Sequence, residues 1–232
     1  DNELEYVWAT SWGVSTRLIG ALIMIHSDDQ GLILPPRLAP KQVALVPIYR
    51  KDEDMQVVLA AAAEIEKELK AAGIRIFVDD RDGFRPGWKF NEYEVQGVPI
   101  RLALGPRDVA NGTVEVARRD TGEKQSMSRE GLADSIAELL ESVQQGLFDS
   151  ALAHREENTR STDSYDEFKQ ILDEKGGFVS MHWDGTAETE LRIKEETKAT
   201  IRCIPLEGYE EDGVDPVSGQ PSKSRVLFAR AY

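Results

Sequence analysis

The sequence predicts an α/β fold, and three features carry that expectation. Val43-Ala44-Leu45-Val46-Pro47-Ile48 is a near-continuous apolar run, the pattern of a strand covered on both faces. Strand-like and helix-like segments alternate after it through residue 150, the order that builds a sheet with helices packed on it. Asp120-Thr121-Gly122 lies between Thr113–Arg118 and Lys124–Met127, which marks a hairpin and makes the sheet a mixed one.

In chain order, Tyr6-Val7-Trp8-Ala9-Thr10 has strand composition and is broken by Gly13. Leu18 to Ile25 is apolar on every side and is expected as a buried helix. Leu34-Pro35-Pro36-Arg37-Leu38-Ala39-Pro40 cannot continue a helix and is placed as a domain linker. After the first strand, Asp52-Glu53-Asp54 sets negative charge at a helix start, where it suits the dipole. That helix carries Val57, Leu59, Ala60, Ala63, Ile65 and Leu69 and ends at Gly73. Strands are expected at Ile74–Val78 and Pro99–Leu104, then the hairpin, then a long helix from a Ser128 cap. The last third offers a helix at Ser164–Asp173, a strand at Phe178–Trp183 and a charged helix at Glu188–Glu196. Strands at Thr200–Leu206 and Val226–Ala229 follow, separated by a Gly-, Pro- and Asp-rich loop from Glu207 to Ser224. The division expected is 1–40, 41–150 and 151–232.

Composition excludes several classes. At 41% hydrophobic and 30% charged residues the chain is not a wholly disordered one. The longest clean apolar run, Leu18 to Ile25, falls far short of the ~18 residues of a membrane span. One cysteine, Cys203, rules out an intrachain disulfide and suits a reducing compartment; it is expected as a small core residue. The chain starts at Asp1 in mid-pattern without a signal peptide, which reads as a start inside a larger protein. Net charge is −14, against unspecific binding to nucleic acid. The charge is uneven: residues 1–73 carry net −4, residues 74–128 are neutral and residues 129–232 carry −10. A nucleic-acid contact therefore belongs in the middle block.

Common catalytic signatures are absent: no phosphate loop, no dinucleotide fingerprint, no H-E-x-x-H and no G-x-S-x-G. His26, His154 and His182 are scattered and none pairs at ligand spacing. Arg17 stands where a tight turn enters an apolar helix, so it calls for an anionic partner: a phosphate, which its planar fork fits, or a core carboxylate. Glu94, Arg101 and Lys124 form the other constellation. Arg and Lys suit the O6 and N7 acceptors of guanine, and a carboxylate suits its donor edge. Such edges are readable on splayed single-stranded bases. The dull alternative is a surface salt bridge.

From Val7 to Pro40, through Trp8-Ala9-Thr10-Ser11-Trp12-Gly13-Val14-Ser15-Thr16-Arg17 and His26-Ser27-Asp28-Asp29-Gln30-Gly31, the chain resembles motif 3 of a class II aminoacyl-tRNA synthetase. The likeness is to prolyl-tRNA synthetases of the eukaryote/archaeon-like type. It continues through Asp79-Asp80-Arg81, Pro86-Gly87-Trp88-Lys89-Phe90, Gly97-Val98-Pro99-Ile100-Arg101 and Leu104-Gly105-Pro106-Arg107-Asp108 to Phe228-Ala229-Arg230-Ala231-Tyr232.

The resemblance implies an enzyme that activates proline with ATP and Mg²⁺ and transfers it to tRNA(Pro) in the cytoplasm, acting as a homodimer through a catalytic core upstream of Asp1. It implies the end of a class II catalytic domain, then an α/β anticodon-binding domain with a mixed sheet, then a small α+β domain of zinc-binding type. Arg17 then contacts the ATP phosphates, Ser15 lies at the proline end, and Gly13 keeps the backbone close to the ligand. Glu94, Arg101 and Lys124 match positions that read two adjacent guanines of the anticodon, and the Tyr232 carboxylate folds towards the active site. The family's four zinc-binding cysteines fall at Asp184, Thr189, Asp215 and Ser218, so no zinc is expected. A non-catalytic tRNA-binding module is the competing expectation. A nucleotide-dependent α/β enzyme fares worse, since no glycine loop opens a helix.

Overall fold

The computed structural model describes residues 6–207 and 210–231, in two compact units, residues 1–151 and 152–232. Tyr232 lies outside the described residues.

The first unit is built on a five-stranded sheet of order β2-β1-β3-β4-β5. β1 (Val43–Pro47) pairs in parallel with β2 (Ile76–Val78) and β3 (Ile100–Leu104). β4 (Thr113–Arg118) and β5 (Lys124–Ser128) add an antiparallel meander beside β3. One face carries Val43, Leu45, Ile100, Leu102, Leu104 and Val116, packed with Val58, Ala61, Ile65 and Leu69 of helix α2 (Asp52–Ala71). Those α2 residues recur at the three- and four-residue spacing of one helical stripe. Ala44 and Val46 point to the opposite face, where they meet Tyr93 and Phe90 of helix α3 (Pro86–Val95). Both faces of β1 are thus covered, as its unbroken apolar run requires.

Helix α3 and the short helix α4 (Pro106–Asn111) were not readable as helices. Pro-Gly and Gly-Pro are turn signals. Yet each helix begins with its proline as first residue, where the lost N–H has no intrahelical partner to miss. Helix α5 (Leu132–Glu157) starts three residues later than a Ser128 cap implies, because Ser128 is still paired with Thr113 in the sheet.

Two expectations for the first forty residues are corrected. Tyr6–Thr10 forms no strand, since no partner strand among the described residues offers it a ladder. Leu18–Ile25 does form a helix, α1 (Arg17–His26), but none of its residues is buried: Leu18, Ile19, Met24 and Ile25 all stand exposed. Only Ala21, Leu22 and His26 of the helix are partly covered. The Pro-rich segment, by contrast, is docked. Ala39 is fully buried, Ile33 packs against Val143 and Leu147, and the Arg75 guanidinium donates to the carbonyls of Ala39 (3.0 Å) and Pro36 (2.8 Å).

The second unit has the strand order β6-β7-β10-β8, with β9 paired to β10. These are β6 (Thr159–Ser161), β7 (Phe178–His182), β8 (Ala199–Cys203), β9 (Glu210–Val214) and β10 (Pro221–Arg230). Helices α6 (Tyr165–Glu174) and α7 (Ala187–Thr197) each begin at a hydroxyl cap, Ser164 and Thr186. Phe168, Met181, Ile193, Val226 and Phe228 form the core, with the Phe168 and Phe228 rings edge to face at 5.4 Å. Cys203 is exposed rather than buried, because the far end of β8 runs past this core. The expected loop from Glu207 to Ser224 is largely a hairpin, β9 against β10. Its polarity hid the strands; what orders the turn is Asp215, fully buried, whose Oδ1 accepts from the N–H groups of Val217 (2.7 Å) and Ser218 (3.2 Å).

Candidate nucleic-acid interface

Strand register brings two of the three predicted base-reading residues into one row. Arg101 on β3 faces Ala117 on β4, and Ala117 faces Lys124 on β5. Directly opposed residues project from the same face, so Arg101 and Lys124 stand on one face, two strand spacings of ~4.8 Å apart. The alanine between them has no bulk, and a shallow depression is left. Lys124 and Ser126 are exposed on β5, while Arg101, at the inner end of the row, is 5% exposed.

Arg101 is an unusual buried cation. Its guanidinium lies over the Phe90 ring, 3.7 Å from the centroid. Its side chain makes one hydrogen bond among the described residues, a long one of 3.4 Å to the half-exposed Glu115 carboxylate. A guanidinium has five N–H donors. Stacked on a ring with most of them open, it is suited to a planar acceptor edge. Glu94 is one helical turn beyond Phe90, so the two share a face of α3. Glu94, Arg101, Ala117 and Arg119 line a common pocket. The salt-bridge alternative is met in part: Arg101 pairs with Glu115 at 3.4 Å, while among the described residues Glu94, Arg101 and Lys124 form no ion pair with one another.

The neighbouring cations are spoken for. Arg118 makes a bidentate pair with Asp120 (3.0 and 2.7 Å), which raises its pKa. Arg119 makes another with Asp28 (2.9 and 2.6 Å). Sequence reasoning gave no role to Phe90 or Arg119. The four-residue spacing of Phe90 from Glu94 was a signal for the first, but the 91-residue separation of Arg119 from Asp28 left none for the second.

Helix α3 is itself pinned. The fully buried Asp79 carboxylate accepts from Arg81 Nε (2.9 Å), Arg81 Nη2 (2.8 Å) and the Tyr93 hydroxyl (2.9 Å). Lys89, on the same helix, donates to the Asp79 carbonyl at 2.9 Å. Burial pushes the Asp79 carboxyl up, but the bonds from Arg81 and Tyr93 and the Lys89 charge outweigh it and hold it well below the usual carboxylate range.

The residues expected at the ATP and proline end lie elsewhere. Gly13, Ser15 and Arg17 are all exposed, and the Arg17 N–H donates to Ser15 Oγ at 3.4 Å. The Arg17 guanidinium has no carboxylate partner among the described residues. In the second unit, Asp184, Thr189, Asp215 and Ser218 come together as a hydrogen-bonded knot. Thr189 Oγ1 donates to Asp184 Oδ2 (2.9 Å), and the Asp184 N–H donates to Asp215 Oδ2 (2.9 Å). Burial raises the Asp184 carboxyl, but bonds from the Thr186 N–H and from the Ser218, Thr186 and Thr189 hydroxyls prevail and lower it. Two neutral hydroxyls and two carboxylates already engaged this way do not fit a structural zinc. Among the described residues no three His, Cys, Asp or Glu side chains are grouped to hold a metal, and no helix is long and apolar enough to cross a membrane.

Comparison with known proteins identifies the family of the chain. Residues 42–139 match a family model described as an anticodon binding domain, and residues 165–232 match one described as the C-terminal part of prolyl-tRNA synthetase. The chain is 57% identical over 232 residues to the proline–tRNA ligase of Cytophaga hutchinsonii, covering all of this chain and 47% of that protein. It is 56% identical over 229 residues to that of Christiangramia forsetii, covering 99% of this chain and 46% of the relative, and 56% identical to that of Porphyromonas gingivalis. The chain thus spans about half the length of the curated relatives it matches, and it belongs to the prolyl-tRNA synthetase family, whose C-terminal portion it represents.

Proposed function

We propose that this chain supplies the anticodon-reading part of a cytoplasmic, homodimeric prolyl-tRNA synthetase, together with the third motif of its catalytic domain. The observation that carries the reading is the row Arg101–Ala117–Lys124 with Glu94 at its edge. A cation with open donors, a second cation about two strand spacings away and a carboxylate suit two adjacent guanines. Phe90 backs the guanidinium and orients its fork. The boundaries we favour are 1–40 for the catalytic edge, 41–150 for anticodon binding and 151–232 for the C-terminal domain.

For the catalytic half of the reading, Arg17 is the residue that holds phosphate, with Ser15 at the proline and adenylate end and Gly13 keeping the backbone close to the ligand. ATP supplies the adenylyl group that activates the proline carboxylate, with Mg²⁺ on its phosphates. A guanidinium with no carboxylate partner among the described residues is free to stabilise charge that develops on phosphorus. In the full-length enzyme, Arg17→Ala is expected to lower proline-dependent ATP–pyrophosphate exchange at least ~100-fold, while affinity for tRNA(Pro) stays within about twofold. Exchange at the parent rate would overturn the role of Arg17. Equal charging of tRNA(Pro) transcripts with and without the two anticodon guanines would overturn the reading of the row.

A further inference from the structure

Arg119 lies beside the pocket but is not available to a base. Just beyond the end of β4 and 8% exposed, it spends its donors inside the protein. Its backbone N–H donates to the Pro99 carbonyl (3.0 Å) and its Nε–H to the Glu94 carbonyl (2.9 Å). Its two terminal nitrogens grip both oxygens of Asp28 at 2.9 and 2.6 Å. Those bonds are the main reason the Asp28 carboxyl is held down to about 2.

Asp28 stands two residues past the end of α1. It exchanges backbone hydrogen bonds with Gly31, both 3.2 Å, and the chain then runs along the turn that ends α3. The Leu32 N–H donates to the Val95 carbonyl (3.0 Å) and the Leu34 N–H to the Gly97 carbonyl (3.2 Å). The approach admits no side chain. A Cβ on Gly31, at φ +140°, would lie 2.5 Å from Val95 Cα, and one on Gly97, at φ +71°, 2.6 Å from the Leu32 carbonyl carbon. The exit of α1 is therefore laid against the segment that presents Glu94, and Arg119 joins the two.

We propose that Arg119 is a positioning residue for base recognition: with Asp28 it fixes the backbone of Glu94, so that the carboxylate and Arg101 keep the spacing one guanine requires. The proposal rests on the reading of Glu94 and Arg101 as guanine-reading residues. Binding constellations tolerate displacements of only ~0.5 Å. Three donors of one rigid fork, on two acceptors from different segments, give that constraint; a lysine supplies one point charge and cannot. The same link ties the α1 exit to residues that line the pocket.

The test uses the full-length synthetase with Asp28→Asn, Asp28→Glu, Arg119→Lys and, as reference, Arg101→Ala. Asp28 is half-exposed, so Asp28→Asn leaves the core untouched while turning an amide against the fork. Asp28→Asn and Arg119→Lys are expected to raise KM for tRNA(Pro) about tenfold with kcat within about twofold. Both should narrow discrimination against anticodon-substituted transcripts and leave ATP–pyrophosphate exchange unchanged. Asp28→Glu, which keeps a carboxylate for the fork, should bring KM back to within about threefold of the parent. Unchanged KM and discrimination in Asp28→Asn would overturn the proposal. So would a parallel loss of exchange and melting temperature, which is the mark of a structural role alone. If Arg101→Ala also leaves discrimination intact, the reading of the pocket fails and the proposal with it; if Arg101→Ala alone acts, only the positioning role fails.

Discussion

The two faces of α3 treat buried charge in opposite ways. On one, Asp79 is fully buried, and both its oxygens are met by Arg81 and Tyr93 while Lys89 closes on its carbonyl. On the other, Arg101 is as buried as Lys89 but has a ring beneath it and one long hydrogen bond. Breaking a buried ion pair leaves a charge with nothing to offset its desolvation. Arg101 has fewer partners than Asp79: the Phe90 ring and one ion pair, with the half-exposed Glu115. On the proposed function, the difference separates the groups that hold the helix in place from the group the helix holds in place for a ligand.

The largest effect expected from this contrast is on stability. Asp79→Ala should cost about 3–5 kcal/mol, since it strands Lys89 and frees Arg81 and Tyr93; urea unfolding measures it, and a loss under about 1 kcal/mol would dissolve the contrast. Its acid dependence has a definite sign. A carboxyl held below its unfolded value contributes stability above roughly pH 4 and loses it as pH falls below that towards the folded pKa. The parent should therefore weaken steadily on acidification below roughly pH 4, and Asp79→Asn should flatten that limb of the curve. Arg101→Ala should behave conversely, with stability nearly unchanged and ~1–3 kcal/mol lost in discrimination of the correct guanine. A smaller change is expected for Lys124→Ala, an exposed point charge: weaker tRNA binding and a salt-dependence slope lower by about one, read from a binding series in salt. The smallest effect is none at all. Dialysis against a chelator should leave the melting of the second unit where it was, and stoichiometric zinc with unfolding on its removal would contradict the Asp184–Asp215 knot as its substitute.

The legible parts of the fold were those with an unambiguous period. β1, β3 and the β4–β5 hairpin announce themselves by apolar runs and a turn; α2 is legible as a helix, but its buried stripe runs through Val58, Ala61 and Ala62 while Val57, Ala60 and Ala63 lie exposed. α3 was hidden by Pro86-Gly87, and β9 by four polar or glycine residues in five. α1 shows the limit of periodicity: composition gave the helix, but burial depends on what covers it, which no local pattern states. At the site, the residue types of Glu94, Arg101 and Lys124 suggested guanine chemistry, and only family resemblance tipped them away from a surface salt bridge. That Arg101 and Lys124 share a row is a fact of register, set by the pairing of three strands. The Asp28–Arg119 link, between segments 91 residues apart, was beyond any local reading.

The central claim is that the Arg101–Lys124 row reads guanine, and the most direct measurement is binding of a tRNA(Pro) anticodon stem–loop to this 232-residue chain. Fluorescence titration would compare the native loop with loops in which either of the two adjacent guanines is replaced by adenine. The account predicts weak binding of the native loop and a penalty of ~1–3 kcal/mol for each replacement. It predicts that the penalty at one guanine collapses in Arg101→Ala while the chain stays folded. Equal affinity for all three loops, or a penalty that survives intact in both Arg101→Ala and Lys124→Ala, would contradict it.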